Sequence, residues 1–325
     1  MKHISILVPN DAILGSLEGT RQVFSQVNQL FKMKGLDPAF QVQLVGLAKE
    51  TLVSAGLFTV NADVLIDEVQ QTDLIVIPAI DGDIRKAIEN NKAFLPWITQ
   101  QHADGAEVAS LCLGAFILAS TGLLNGKKCA THWLAENDFR QMFPKVNLVT
   151  EKIITDENGL YSSGGAFSYL NLVLYLIEKY VGREIAVLSA KVFAIELDRD
   201  SQLSFTVFQG QKGHSDDSVM KVQHFIEKNY PSKITIDQLA TMLGIGRRNL
   251  ERRFKKATSN TIAEYIQRVK VEAAKVSLES STENINEVMY KVGYTDNKAF
   301  RGTFKRLTGL SPIQYRSKYY RQQAS

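Results

Sequence analysis

The chain has 325 residues and 45% hydrophobic content, enough for two domains with buried cores. Its two cysteines, Cys112 and Cys129, are too few for a disulfide framework or a zinc cluster. Neither a leader nor an apolar run long enough for a bilayer is legible, so a cytoplasmic protein with no membrane partner is expected. The formal charge of +4 conceals a division: residues 218–325 hold 20 Lys and Arg against 9 Asp and Glu, whereas residues 1–217 hold 18 against 25. A basic segment attached to an acidic one points to one nucleic-acid-binding domain and one with a different task.

Residues 1–197 alternate short apolar runs with helical patterns. Continuous apolar strands are expected at 4–8, 42–47, 74–78 and 108–111, with helices at 20–31, 84–100 and 115–124 between and after them. Two further helices, at 169–180 and 183–197, close the series. This βαβα rhythm predicts a three-layer α/β domain of flavodoxin-like type with a mostly parallel sheet.

Three turns in that domain carry candidate chemistry. In Val108-Ala-Ser-Leu-Cys112-Leu-Gly-Ala-Phe116 a Cys stands where a buried strand turns into a helix, and Gly114 allows close approach. Lys127-Lys-Cys-Ala-Thr-His-Trp133 delivers His132 from a short strand, while Ser162-Ser-Gly-Gly-Ala166 opens a helix whose free N–H groups suit a carboxylate. At the C-terminal edge of an open sheet these turns would line one pocket, with Cys112, Leu113, His132, Ser163, Gly164 and Gly165 as candidate effector contacts. Cys112 reads as a ligand contact, a redox sensor, a strand-end core residue or a nucleophile. Cys129 and Trp133 read as core, and no motif calls for a metal or a cofactor.

Residues 198–217 are rich in Gln, Gly, Ser and Asp and are expected to link the domains, although Phe205, Val207 and Phe208 suggest that part of the stretch packs on a surface. From residue 218 onward everything reads as helix, and one helix-turn-helix pattern occurs twice. The first copy, Ile234 to Phe254, is punctuated by Gly244; the second, Ile285 to Phe304, by Gly293. In the first, Leu239, Leu243, Leu250 and Phe254 are expected inside, leaving Arg248, Glu251, Arg252 and Lys255 facing a major groove and Arg247, Arg253 and Lys256 near phosphates. In the second, burial of Phe300 and Phe304 leaves Asn297, Lys298 and Arg301 outward. A long helix at 261–280 joins them, its inner stripe expected to hold Ile262, Tyr265, Ile266, Val269, Ala273 and Val276. Its length of roughly 30 Å approximates the ~34 Å between successive major grooves, so a double-stranded DNA site with two submotifs about one turn apart is expected.

Ala240-x3-Gly244, Arg248-x-Leu250-x-Arg252-x-Phe254, Ile285-x2-Val288, Gly293-Tyr294 and the stretch from Phe300 to Arg316 resemble the AraC/XylS DNA-binding domain throughout residues 218–325. That resemblance implies seven helices and a transcription factor. Two departures stand out: Gly246 where Ser usually caps the first reading helix, and Gly302 where the second usually has Arg. Cys112-x-Gly114, Gly122-Leu-Leu-x-Gly126, Thr131-His-Trp133 and Ser163-Gly-Gly165 make residues 1–197 similar to the ThiJ/PfpI, class I glutamine-amidotransferase-like fold. In this order the two look like the GlxA group of regulators, which implies a small-molecule sensor, a homodimer, and a nucleoid-associated location.

Hydrolytic relatives of that fold place His directly after the nucleophile, where this chain has Leu113. They also use an early acidic residue, a position that falls here on Ser16, with Glu18 two residues away. A non-enzymatic, effector-controlled regulator is therefore expected. The alternative is a cysteine-dependent amidase or deglycase tethered to nucleic acid by its basic domain, with His132 as its base.

Overall fold

The computed structural model describes residues 1–197 and 201–320, which fall into two compact units meeting between Gln202 and Leu203. The first unit opens with β1 (Lys2–Val8), α1 (Leu14–Met33), β2 (Phe40–Gly46), the hairpin β3 (Glu50–Val53) and β4 (Phe58–Asn61), β5 (Val64–Leu65) and β6 (Leu74–Ile77). It continues with α2 (Ile84–Asn90), α3 (Phe94–Ala103), β7 (Glu107–Leu111), α4 (Ala115–Ser120), β8 (Lys128–Cys129) and α5 (Glu136–Met142). Then come β9 (Asn147–Leu148), β10 (Ile154–Asp156), β11 (Leu160–Ser163), α6 (Tyr169–Val181) and α7 (Arg183–Val192).

The main sheet runs β10-β11-β7-β6-β1-β2-β5 and is parallel except at β10. Strand side chains alternate between faces, so Ile4, Ile6, Leu74 and Val76 pack with α1, α6 and α7, while Leu7, Ile75 and Ile77 pack with α3, α4 and α5. This is the three-layer α/β domain that the apolar rhythm predicts. Its expected helix at 84–100 is two helices, because buried Asn91 interrupts it: Nδ2 donates to the Ala87 and Asn10 carbonyls, and Oδ1 accepts from the Asn10 amide. The hairpin β3–β4 escaped the sequence pattern because its turn has Ser54 and Ala55 as well as Gly56 at positive φ, and only the last is a residue that signals such a turn.

The second unit contains seven α-helices among its described residues: α8 (Asp217–Asn229), α9 (Ile236–Leu243), α10 (Arg247–Thr258), α11 (Ile262–Ser280), α12 (Ile285–Lys291), α13 (Asn297–Thr308) and α14 (Pro312–Tyr319). Two small cores form. Leu239, Leu250, Phe254, Ile262 and Tyr265 anchor the first, and Val271, Ala274, Leu278, Val288, Phe300 and Phe304 the second. α11 belongs to both, and this corrects the single stripe expected for it. Its first half buries Ile262 and Tyr265, its second half turns Val271, Ala274 and Leu278 inward, and Val276 is 57% exposed. A helix serving two cores must present a different face to each.

Part of the expected linker is bound to this unit, and residues 198–200 lie outside the described residues. The Phe208 amide donates to Glu272, its ring meets Tyr265 edge-on at 5.1 Å, and the Gly210 carbonyl accepts from the Tyr265 hydroxyl at 3.1 Å. The aromatic residues in that stretch thus have a physical role that its polar composition concealed.

At Gly293 (φ 78°), a Cβ would lie 2.0 Å from the Pro231 carbonyl oxygen. Gly293→Ala is therefore expected to destabilise the helical unit by roughly 2 kcal/mol or more. Gly302 sits mid-helix in α13 with nothing within 4 Å of an added Cβ, so Gly302→Ala should stabilise by about 1 kcal/mol. Urea denaturation of both variants checks the pair.

Candidate effector site and DNA-reading surface

Cys112 ends β7 on a sharp turn. Its φ is +51°, a strained value for a side chain other than glycine, and the next residues form a single 3-10 turn into α4. Gly114 is obligatory there, because a Cβ would lie 2.4 Å from the Pro78 carbonyl oxygen. This is the strand-to-helix elbow on which several hydrolases carry a nucleophile.

The three candidate turns are tied together by hydrogen bonds. The Cys112 amide donates to Ser163 Oγ at 3.4 Å, and Thr131 Oγ1 donates to the Cys112 carbonyl at 2.9 Å. Ser162 Oγ accepts from the Ala130 amide at 2.6 Å. Cys112, Thr131-His132 and Ser163-Gly164-Gly165 therefore meet at the C-terminal ends of β7 and β11, with Leu113 half-buried beside them. Gly165 takes φ +79° and leads to α6, whose cap Ser168 makes no side-chain capping bond and whose first turn has no acidic residue. In that turn the Leu170 and Asn171 amides donate to the Phe167 and Ser168 carbonyls at 3.3 and 3.0 Å.

The electrostatics do not make a thiolate. Burial pushes the Cys112 thiol up to about 12, against a smaller opposing effect of the Leu113 amide. Among the described residues no hydrogen bond joins Cys112 to His132. The His132 Nδ1 accepts from the Leu134 amide at 3.2 Å, and burial lowers the ring's pKa. Ser16, at the position of the relatives' acidic residue, is buried and satisfied: Oγ donates to the Ile13 carbonyl at 2.8 Å and accepts from the Ala79 amide at 3.0 Å. Glu18 is turned to Arg21, with contacts of 2.6 and 2.7 Å, and that pairing holds its carboxyl below the usual range. Cys129 is fully buried, as expected of a core residue. A separate cleft of about 440 Å³ opens at the other end of β7, lined by Glu107, Asp156, Tyr161 and Lys179. Its polar groups already bind each other, Glu107 accepting from Tyr161, Lys179 and Tyr180.

Gln202 is a residue of this site that sequence reasoning missed. It is 1% exposed, and its Nε2 donates to the Thr131 carbonyl at 3.0 Å and the Lys152 carbonyl at 3.3 Å. Nothing in its polar, aperiodic surroundings signals this role.

In the helical unit, α9 ends at Gly244 in the left-handed conformation and α10 begins at Gly246, which supplies no side-chain cap. Leu250 and Phe254 are buried, so Arg248, Arg252 and Lys255 face solvent. Arg252 donates to Asn249 at 3.2 Å. Arg247 is held between Asp237 at 3.5 Å and Glu251 at 3.4 Å. Arg253 corrects the sequence reading: it does not wait for phosphate but clasps Asp216, the cap of α8, at 2.6 and 2.9 Å. On α13 burial of Phe300 and Phe304 leaves Lys298 and Arg301 exposed, while Asn297 donates to Asn286 at 2.7 Å.

Comparison with known proteins agrees with both halves. A DJ-1/PfpI family model matches residues 24–179, and a helix-turn-helix domain model matches residues 239–318. The HTH-type transcriptional regulator GbdR of Pseudomonas aeruginosa is 26% identical over 265 residues, which are 81% of this chain and 71% of that protein. GlxA of Rhizobium meliloti is 22% identical over 211 residues, 64% of each chain. A solved AraC family transcriptional regulator from Pseudomonas putida superposes with a TM-score of 0.51 at 16% identity, covering 59% of this chain and all of that one, which supports the fold. The chain joins a DJ-1/PfpI domain to an AraC-type helix-turn-helix domain. Its relatives of GlxA and GbdR type are HTH-type transcriptional regulators.

A thiol held neutral should alkylate slowly. Iodoacetamide is expected to modify Cys112 in the folded protein far more slowly than a free cysteine at pH 7.5, the rate still rising above pH 9. A rate already level below pH 8 would indicate an activated thiolate.

Proposed function

We propose that the α/β unit senses a small molecule at the C-terminal edge of its sheet and that the helical unit reads two DNA submotifs about one turn apart. Support for the second part comes from α10 and α13: each buries two apolar anchors and turns cations to solvent, and α11 joins their cores. At 19 residues, α11 spans roughly 28 Å, close to the ~34 Å turn of DNA. Arg248, Glu251, Arg252 and Lys255 are the base-reading candidates of the first motif, and Lys298 and Arg301 serve the second. Arg247 and Asn297 border these faces and act through the pairs they already make. The regulator works as a homodimer in the cytoplasm.

Catalysis forms no part of this reading. The elbow has the shape that nucleophilic chemistry uses, but burial pushes the thiol up to about 12 and, among the described residues, no base or carboxylate is hydrogen-bonded to it. Cys112, Leu113, His132, Ser163, Gly164 and Gly165 are assigned instead to effector binding. The carbonyls of Thr131 and Lys152 suit a donor.

Promoter DNA from the protein's own locus, titrated with salt, tests the reader. Arg252→Ala should cost about 1–3 kcal/mol on the specific site, and Lys298→Ala should reduce the salt slope by about one. Gly302→Arg, placed where nothing obstructs a side chain, should steepen the slope. Binding indifferent to Arg252→Ala and to the DNA sequence would remove the reader assignment.

A further inference from the structure

The candidate effector site already has an internal occupant. Gln202 places its carboxamide between the Thr131 and Lys152 carbonyls and the Ser163-Gly164-Gly165 turn. Two carbonyls can only accept, so the nitrogen must face them and Oε1 must point away. That Oε1 is buried and has no hydrogen-bond partner. An added Cβ at Gly164 would lie 2.2 Å from the Gln202 Nε2, so this glycine makes room for the side chain. An unpaired buried acceptor costs stability, which leaves the carboxamide held but incompletely satisfied.

The backbone around Gln202 gives that occupancy a consequence. Ser201 bridges Lys152 in antiparallel fashion, and the Gln202 amide donates to the Glu151 carbonyl at 3.0 Å. In the helical unit, the Ser204 carbonyl accepts from the Tyr319 hydroxyl at 2.9 Å, and the Thr206 carbonyl accepts from the Lys275 ammonium. Only Leu203 separates the last anchored residue of one unit from the first of these acceptors in the other.

We propose that Gln202 is an internal stand-in ligand. Its carboxamide fills a recognition site for an N–H-bearing group (an ammonium, guanidinium or amide of a small metabolite). A ligand that donates to the Thr131 and Lys152 carbonyls evicts the side chain and releases the chain next to Ser204. The proposal rests on the sensor reading of the first unit. It supplies the differential contact that a ligand needs in order to shift a two-state equilibrium: the carbonyls serve Gln202 in one state and the ligand in the other.

The test uses the full-length protein with Gln202→Ala and with Gln202→Met, which keeps most of the volume but neither donor nor acceptor. Hydrogen exchange is followed at residues 203–211 and operator affinity is measured alongside. Amides of β1, β6 and β7 report that the α/β unit remains folded. Both variants should raise exchange at 203–211 by about tenfold and change operator affinity by about threefold or more. Acetamide, a free amide donor with no tether to the chain, should displace the Gln202 side chain in the wild type and, in excess, raise exchange at 203–211, while leaving Gln202→Ala and Gln202→Met in their released state. Variants with wild-type exchange and affinity, a Gln202→Ala protein whose slow exchange acetamide restores, or a wild type whose exchange at 203–211 excess acetamide leaves unchanged would overturn the proposal. Failure of the wild type itself to bind DNA specifically would instead strike the regulator reading, and the exchange measurements would still decide the role of Gln202.

Discussion

One helix holds the reading half together. α11 contributes Ile262 and Tyr265 to the first small core and Val271, Ala274 and Leu278 to the second. Neither core is large enough to be robust on its own terms, since each has nine fully buried apolar side chains among the described residues. Sharing a rigid element makes each motif's stability depend on the other and fixes the spacing of α10 and α13. The ends of α11 reinforce this. Thr261 and Glu264 form a reciprocal capping box at its start, and the buried Lys275 is neutralised by Glu272 near its end. Two readers with independent flexible connections would pay an ordering cost on DNA that this arrangement has already met during folding.

In the sensing half the constraint is the elbow at Cys112. A non-glycine residue at positive φ persists only where its surroundings over-determine it, and here they do: Ser163 holds the amide, Thr131 holds the carbonyl, and Gly114 lies against Pro78. Enzymes use such a turn to expose a nucleophile. This chain keeps the turn and buries the thiol, with Leu113, Ser16 and an Arg21-bound Glu18 where acid–base partners would be needed. The elbow positions three turns around one point, an arrangement suited to holding a small molecule.

Much of this was legible in the sequence because it depends on periodicity and on punctuation. Apolar runs gave the parallel strands, and Leu239, Leu250, Phe254, Phe300 and Phe304 at helical spacing gave the inward faces of both motifs. Gly244 and Gly293 marked the turns through a conformation that favours glycine. What escaped notice depends on long-range partners. Nothing local says that Arg253 is spoken for by Asp216, thirty-seven residues away, or that Val276 lies outside a stripe that changes face midway along α11. Gln202 is the sharpest case, since its role comes from carbonyls at positions 131 and 152 that only the fold brings to it.

The measurement that tests the central claim most directly is a hydroxyl-radical and methylation footprint of the full-length protein on its own promoter. A rigid pair of readers should protect two major-groove patches on one face of the duplex, centred about 10–11 base pairs apart, and loss of Arg252 should expose one patch before the other. A single protected patch, or two whose spacing varies from site to site, would contradict a reader whose geometry is set by α11.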